Sequence, residues 1–245
     1  MYNILQYTSS DSEEDDQTRT QDACVFTQAM TPASPPEPEN DTSRHQGRIR
    51  SFPHERGIWA SYVYVDYNDI DAFSNLQLEI ITKAANDLNL ELNRVDNMHM
   101  SLTKTFVLRH HNIPTFVENL RAAIRGSKRF TILLSELAVY TNAENTRTFL
   151  AARIHDNSFK PLELLVEKLD ACLAEYKLPE FYKDPSFHVS FLWTLGNQRK
   201  LLEDNLQALQ QTFAAIYEEE YCEMNIMVKQ LHLKCGNKFH DFDLL

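Results

Sequence analysis

The 245-residue chain carries 24 Lys and Arg against 35 Asp and Glu, a formal net charge of −11. That length supports one sizeable core or two closely packed lobes, no apolar run reaches the length of a membrane helix, and the N-terminus lacks a basic stretch leading into an apolar one, so a soluble intracellular protein is expected. The acid excess argues against a protein that coats nucleic acid, because neutralising phosphate takes a broad basic surface.

Residues 1–48 carry Ser9-Ser10-Asp11-Ser12-Glu13-Glu14-Asp15-Asp16 and then Pro32-Ala33-Ser34-Pro35-Pro36-Glu37-Pro38. Such a composition cannot bury enough surface to offset its ordering entropy, which predicts a disordered acidic tail ahead of one domain over 49–245. Residues 58–65 form a β-rich run, and 73–90 have helical spacing through Leu76, Ile80, Ala84 and Leu88. A strand around His99 follows, then a helix opened by Ile113-Pro114 and closed near Gly126. Residues 130–140 and 146–154 read as strands flanking a hairpin at 141–145. Helices are predicted over 161–176 and 198–217, with a strand over 187–193 between them and closing strands over 224–233 and 238–242. Each half supplies a strand, a helix and a second strand, so the expected class is α+β with two lobes and a cleft between the halves. Cys24, Cys172, Cys222 and Cys235 show no paired spacing, which suits buried or inert thiols better than a disulfide framework or a zinc site.

The chemistry is carried by a tripeptide that occurs twice, His99-Met100-Ser101 and His188-Val189-Ser190. Of nine histidines, these two alone have Ser or Thr two residues on, and both sit in apolar runs of strand type. Residues two apart in a strand share a face, so each motif presents an imidazole beside a hydroxyl. If the strands are neighbours, four polar groups converge on one cleft. Imidazole titrates near neutrality, so one ring can accept a proton while the other donates, which suits cleavage of a phosphodiester without a metal. The residues leave open which is base and which acid.

Other candidates have bland readings beside the functional ones. His110 and His111 are adjacent and, if extended, point to opposite faces, a poor metal pair. Tyr182 lies six residues before His188 in a loop containing Pro185, either as a core residue or as a platform for a base. Arg147 is a phosphate contact or an exposed hairpin residue, and Lys104 and Lys183 are candidates for a basic rim.

The motifs and their flanks together resemble the 2H phosphoesterase superfamily, and within it the family of U6 RNA 3'-end phosphodiesterases. The segments that carry the resemblance are 50–57 leading into Trp59-Ala60, His99-Met100-Ser101-Leu102-Thr103-Lys104-Thr105 with Leu108-Arg109-His110-His111, Glu144-Asn145-Thr146-Arg147-Thr148-Phe149, Tyr182-Lys183-Asp184-Pro185-Ser186-Phe187-His188-Val189-Ser190, and Cys235-Gly236-Asn237-Lys238-Phe239. The resemblance implies two pseudo-symmetric antiparallel sheet-and-helix lobes around a central cleft. It also implies a nuclear, monomeric, cofactor-free 3'-to-5' exonuclease that trims the uridine-rich single-stranded end of U6 RNA, leaving a 2',3'-cyclic phosphate. By motif position, His99 and His188 would be the catalytic pair, Ser101 and Ser190 the phosphate-binding hydroxyls, and Tyr182 the base-stacking aromatic. The alternatives are a 2H enzyme for small cyclic nucleotides or 2',5'-linked oligonucleotides, and a catalytically silent RNA-binding module.

Overall fold

The computed structural model describes residues 57–245 apart from Asp69 and Ala143. The tail expected over 1–48, with Cys24, lies outside the described residues.

Strand β1 (Ile58–Asp66) is the centre of the first sheet. Its alternation buries Val63 and Val65 and turns Tyr62, Tyr64 and Asp66 to the opposite face. Along one edge it pairs with β10 (Gln230–Cys235), which carries β11 (Lys238–Asp243) outside it. The other edge is shared. The later part of β1 pairs with β3 (His99–Ser101) and the earlier part with β4 (Phe106–Arg109). Between them the Thr103 hydroxyl accepts the Val63 N–H at 2.9 Å, standing in for a ladder carbonyl where the chain leaves the sheet.

The second sheet runs in the order β2 (Asn93–Arg94), β8 (His188–Leu195), β7 (Arg147–Ile154), β6 (Leu134–Thr141). A separate ribbon pairs β5 (Phe130–Ile132) with β9 (Ile226–Val228). Helix α1 (Asp71–Leu88) buries Phe73, Leu76, Ile80 and Ala84, one apolar stripe at helical spacing. Helix α2 (Ile113–Ile124) sets Phe116 against Phe106 of β4 and packs on α3 (Phe159–Glu175), with Asn119 donating to the Tyr176 hydroxyl at 2.9 Å. Helices α4 (Arg199–Asp204) and α5 (Leu206–Glu219) lie against β6, α5 also packs on α1, and α6 (Tyr221–Met224) is a single turn. Buried apolar side chains from both sheets and from the helices form one cluster.

The α+β class and the antiparallel sheets agree with expectation, but the lobes are not the two halves of the chain. Strand β2, from the first half, extends the second sheet, whereas β10 and β11, from the end of the chain, complete the first. Long-range pairing needs are met wherever an edge is open, and β1 takes its second neighbour from the far end of the sequence. Three continuous elements expected from periodicity are also broken. The strand over 130–140 splits at Leu133, whose N–H goes to the Ser158 hydroxyl at 3.0 Å instead of a ladder. The helix over 198–217 breaks at Asn205, whose side chain turns back onto the Leu201 carbonyl. The strand over 224–233 divides between two sheets at Lys229. His110 and His111 sit in one 3₁₀ turn, not in a strand, and both are exposed. Cys172 and Cys235 are buried and Cys222 is exposed.

Gly236 turns β10 into β11 at φ +60°, and a Cβ there would enter the Trp59 indole. Gly236→Ala should therefore lower stability by about 1–3 kcal/mol through strain and overpacking together. Gly196→Ala, at φ +74° but facing open space, should cost less. Urea denaturation of both variants checks the order.

Candidate active site

Strand β3 lies beside the start of β8, so the two tripeptides meet where the sheets adjoin. In each, the central residue is fully buried, Met100 and Val189, while the flanking His and Ser are half-buried on the opposite face. The period of two thus puts His99 with Ser101, and His188 with Ser190, on the open face of each strand, and the two imidazoles are near enough for the charge of His99 to act on His188.

Both imidazoles are held in the same local way. Nδ1 of His99 donates to the Asn97 carbonyl at 2.8 Å, and Nδ1 of His188 to the Ser186 carbonyl at 2.7 Å. A carbonyl can only accept, so each neutral ring carries its proton on Nδ1 and Nε2 is the basic nitrogen. The loop before His99 is braced in turn: the Asp66 carboxylate accepts from the Asn68 backbone and side chain at 3.0 and 2.7 Å, and the Asn68 side-chain oxygen accepts the Met98 N–H at 2.9 Å.

The surroundings of the two rings differ. His99 lies among aromatic side chains of β1, with Tyr62 tilted at 5.3 Å and Tyr64 edge-on at 5.4 Å between centroids. Tyr64 stands directly across from Ser101 on one side and His232 on the other, and His232 is held by Asp241 at 2.8 Å. Burial, aided by Tyr62, Asp66 and Asp241, pushes the Tyr64 phenol up to about 12, so it stays a hydrogen-bond donor at neutral pH. His188 is instead capped by Tyr140 of β6, stacked at 3.8 Å with 13° between planes. The Tyr140 hydroxyl lies 2.6 Å from the Ser186 hydroxyl, so the residue that accepts from His188 is itself tied to the ring that covers it. Burial lowers the His188 pKa below its ordinary 6.5, and the neighbouring His99 and Arg153 charges lower it further. Arg153 is the residue directly opposite His188 in the β7–β8 ladder.

Strand β8 contains an extra residue. Leu150 pairs with Leu192 but Ala151 pairs with Ser190, leaving Phe191 as a bulge. Its carbonyl accepts the Val95 N–H at 3.0 Å and the Gln77 side-chain N–H at 2.8 Å. Gln77 is a buried polar residue of α1, and it also touches the Met98 sulfur at 3.7 Å, just before His99.

Tyr182 is 59% exposed, which removes the core reading. Lys104 sits 4.6 Å over its ring, and with Phe181 and Lys183 they line a cavity of about 540 Å³. Arg147 is half-buried, its guanidinium 4.0 Å over the Trp193 ring, and so is not an exposed hairpin residue. Among the described residues, no three His, Cys, Asp or Glu side chains converge as a metal-ligand set. Sequence reading missed Tyr62, Tyr64, Tyr140, Arg153 and Gln77. A signal existed for the first two, since Tyr62-x-Tyr64 repeats the spacing of the motifs themselves.

Residues 26–243 match the model of a family described as HVSL, an uncharacterised conserved protein. The chain is 37% identical to U6 snRNA phosphodiesterase 1 of Homo sapiens, over 88% of this chain and 80% of the relative. It is 34% identical to U6 snRNA phosphodiesterase 1 of Drosophila melanogaster, over 97% and 96%. The fold is similar to that of Kluyveromyces marxianus Usb1, with a TM-score of 0.52 at 16% identity, over 77% of this chain and 98% of that one.

Removing the Tyr140 ring should open His188 to water. Tyr140→Ala is therefore expected to raise the His188 midpoint back toward 6.5, while Tyr140→Phe, which keeps the stack, moves it less. NMR titration of the ring protons against pH decides, and an unmoved midpoint in Tyr140→Ala removes the cap as a cause.

Proposed function

The chain belongs to the HVSL family, alongside the U6 snRNA phosphodiesterases, and on that basis we propose that it is a metal-independent 3'-to-5' exonuclease that trims the uridine-rich end of U6 RNA. The reading extends to a monomer acting in the nucleus in support of mRNA splicing. One observation carries the chemistry: two imidazoles on adjoining strand edges, each with Nδ1 committed to a carbonyl two residues earlier. A relative solved with uridine monophosphate supports a nucleotide-sized ligand.

The asymmetry of the cleft supports one division of roles. His188, kept neutral by burial and by neighbouring positive charge, is the base that takes the proton from the 2'-hydroxyl of the penultimate nucleotide. That oxygen attacks the adjacent phosphorus, and His99 returns a proton to the departing 5'-oxygen of the terminal nucleoside. The products are a shortened RNA with a 2',3'-cyclic phosphate and a free nucleoside. Ser101 and Ser190 donate to the non-bridging oxygens, whose charge grows in the transition state. Tyr182 stacks on a base beside Lys104, which supplies positive charge.

His99→Ala and His188→Ala should each lose at least about 10²- to 10⁴-fold in rate, and activity should persist in excess chelator. Because a base works when unprotonated, the acid limb of kcat/KM should fall as pH drops through the lowered His188 pKa, below 6.5 and not above it. Tyr182→Ala should cost about 1–3 kcal/mol in kcat/KM. Internal attack also requires the RNA's own oxygen, so a single 2'-deoxy sugar at the penultimate position should block release of the terminal nucleoside. Efficient cleavage of that substrate would falsify the transesterification route even if both histidines proved essential.

A further inference from the structure

Two cavities are lined by residues that neighbour the two motifs in sequence or in space. The Tyr182 pocket is lined by Lys104, which follows β3 in the chain, and by residues 180–183, which precede β8. The other, of about 670 Å³, lies on the side of β7 and β6 and is lined by Tyr140, Arg153, Ser186 and Arg199 together with Glu136 and Glu203. Three of these residues belong to the surroundings of His188: Tyr140 stacks on it, Ser186 accepts from it, and Arg153 stands opposite it in the ladder. This second groove therefore lies beside the His188 imidazole. It then runs off the sheet, because β6 is an edge strand, toward α4, which carries Arg199 and Glu203.

A polymer cut near its end needs two exits from the scissile phosphate, one for the terminal nucleoside and one for the chain that remains. Resting on the phosphodiesterase reading, and with Tyr182 taking the terminal base, we propose that the groove between β6 and α4 seats the RNA preceding the penultimate nucleotide, with Arg153 and Arg199 as its phosphate contacts. Each guanidinium is at present paired with a glutamate, Arg153 with Glu136 at 3.0 Å and Arg199 with Glu203 at 2.7 Å. All four side chains are more than a third exposed, and pairs of that kind are worth little in water. A phosphodiester offers the planar fork two oxygens at once, so exchanging a glutamate for a phosphate forfeits little and makes a bidentate contact. The glutamates hold the arginines in the groove until RNA arrives.

The test compares a uridine dinucleotide with a uridine pentanucleotide. Arg153→Gln and Arg199→Gln should each lower kcat/KM, with the loss on the pentanucleotide about tenfold greater than on the dinucleotide, the scale of one charge-assisted contact. Binding of a pentanucleotide made uncleavable by a penultimate 2'-deoxy sugar should lose about 0.7 from its log–log salt slope for each arginine removed. Arg153→Lys should recover most of that slope, and Glu136→Gln should tighten binding. Equal losses on both RNAs, with an unaltered salt slope, overturn the proposal while leaving the phosphodiesterase reading intact. Failure of the unaltered protein to shorten either RNA overturns both.

Discussion

The carbonyl of Phe191 is the point on which the geometry of the cleft depends. As the extra residue of a bulge it has no partner across the ladder, and it is satisfied from the other direction by Val95 and by the buried amide of Gln77. A buried carbonyl left unmatched costs about 1–3 kcal/mol, so the bulge and its two donors stand or fall together. The extra residue also resets the phase of β8. His188 and Ser190 face the cleft, and beyond the bulge Trp193 and Leu195, opposite Phe149 and Arg147, continue that face. Without it, strict alternation would turn Leu192 and Thr194 to the cleft and drive the indole into the core. The same Gln77 reaches Met98, so one side chain of α1 bears on both tripeptides, just before His99 and just after Ser190.

From that anchor the site is symmetric in its bonds and asymmetric in its surroundings. Two rings receive identical backbone restraints, which sets the tautomer of each. What separates them is charge and water. His188 lies under Tyr140 and faces Arg153, and burial together with the Arg153 charge opposes its protonation, whereas His99 lies on strand β3 beside phenols and across from Asp66. The two lobes thus yield two histidines in chemically different surroundings, as the proposed acid–base pair requires. On that proposal an arriving phosphodiester brings a negative charge to both, so its binding itself favours the protonated acid that must later release a proton.

The legible part of this arrangement was the part encoded by short-range periodicity. His99 with Ser101, and His188 with Ser190, are local statements about a strand and its two faces, and the buried Met100 and Val189 confirm them. Arg153 reaches His188 across the β7–β8 ladder and Tyr140 across the β6–β7 ladder as well, each ladder with its own register shift, and nothing near either residue in the sequence announces that pairing. The breaks at Leu133, Asn205 and Lys229 escaped notice for a related reason. Apolar periodicity runs through all three, while the decisive hydrogen bonds come from Ser158, from the Asn205 side chain itself and from Leu244. Interleaving of the lobes was likewise invisible, because β1 shows no preference in its own residues for a partner more than 160 positions away.

An acidic chain that handles RNA raises an electrostatic question, and the pairing of its arginines answers part of it. With a net charge of −11, long-range attraction toward a polyanion is not available as a source of affinity. What remains is short-range contact with a small number of phosphates at the end of a strand, where screening within about 10 Å hides the distant acids. Arg153 and Arg199, each beside its own glutamate, present no standing positive field to RNA in general. As the proposed phosphate contacts, they would bind only a phosphate placed close enough to displace the glutamate. Under the proposed seating, the RNA that satisfies that condition is one whose scissile phosphate already lies between the imidazoles, so the local charge balance would favour an engaged 3' end over an internal stretch.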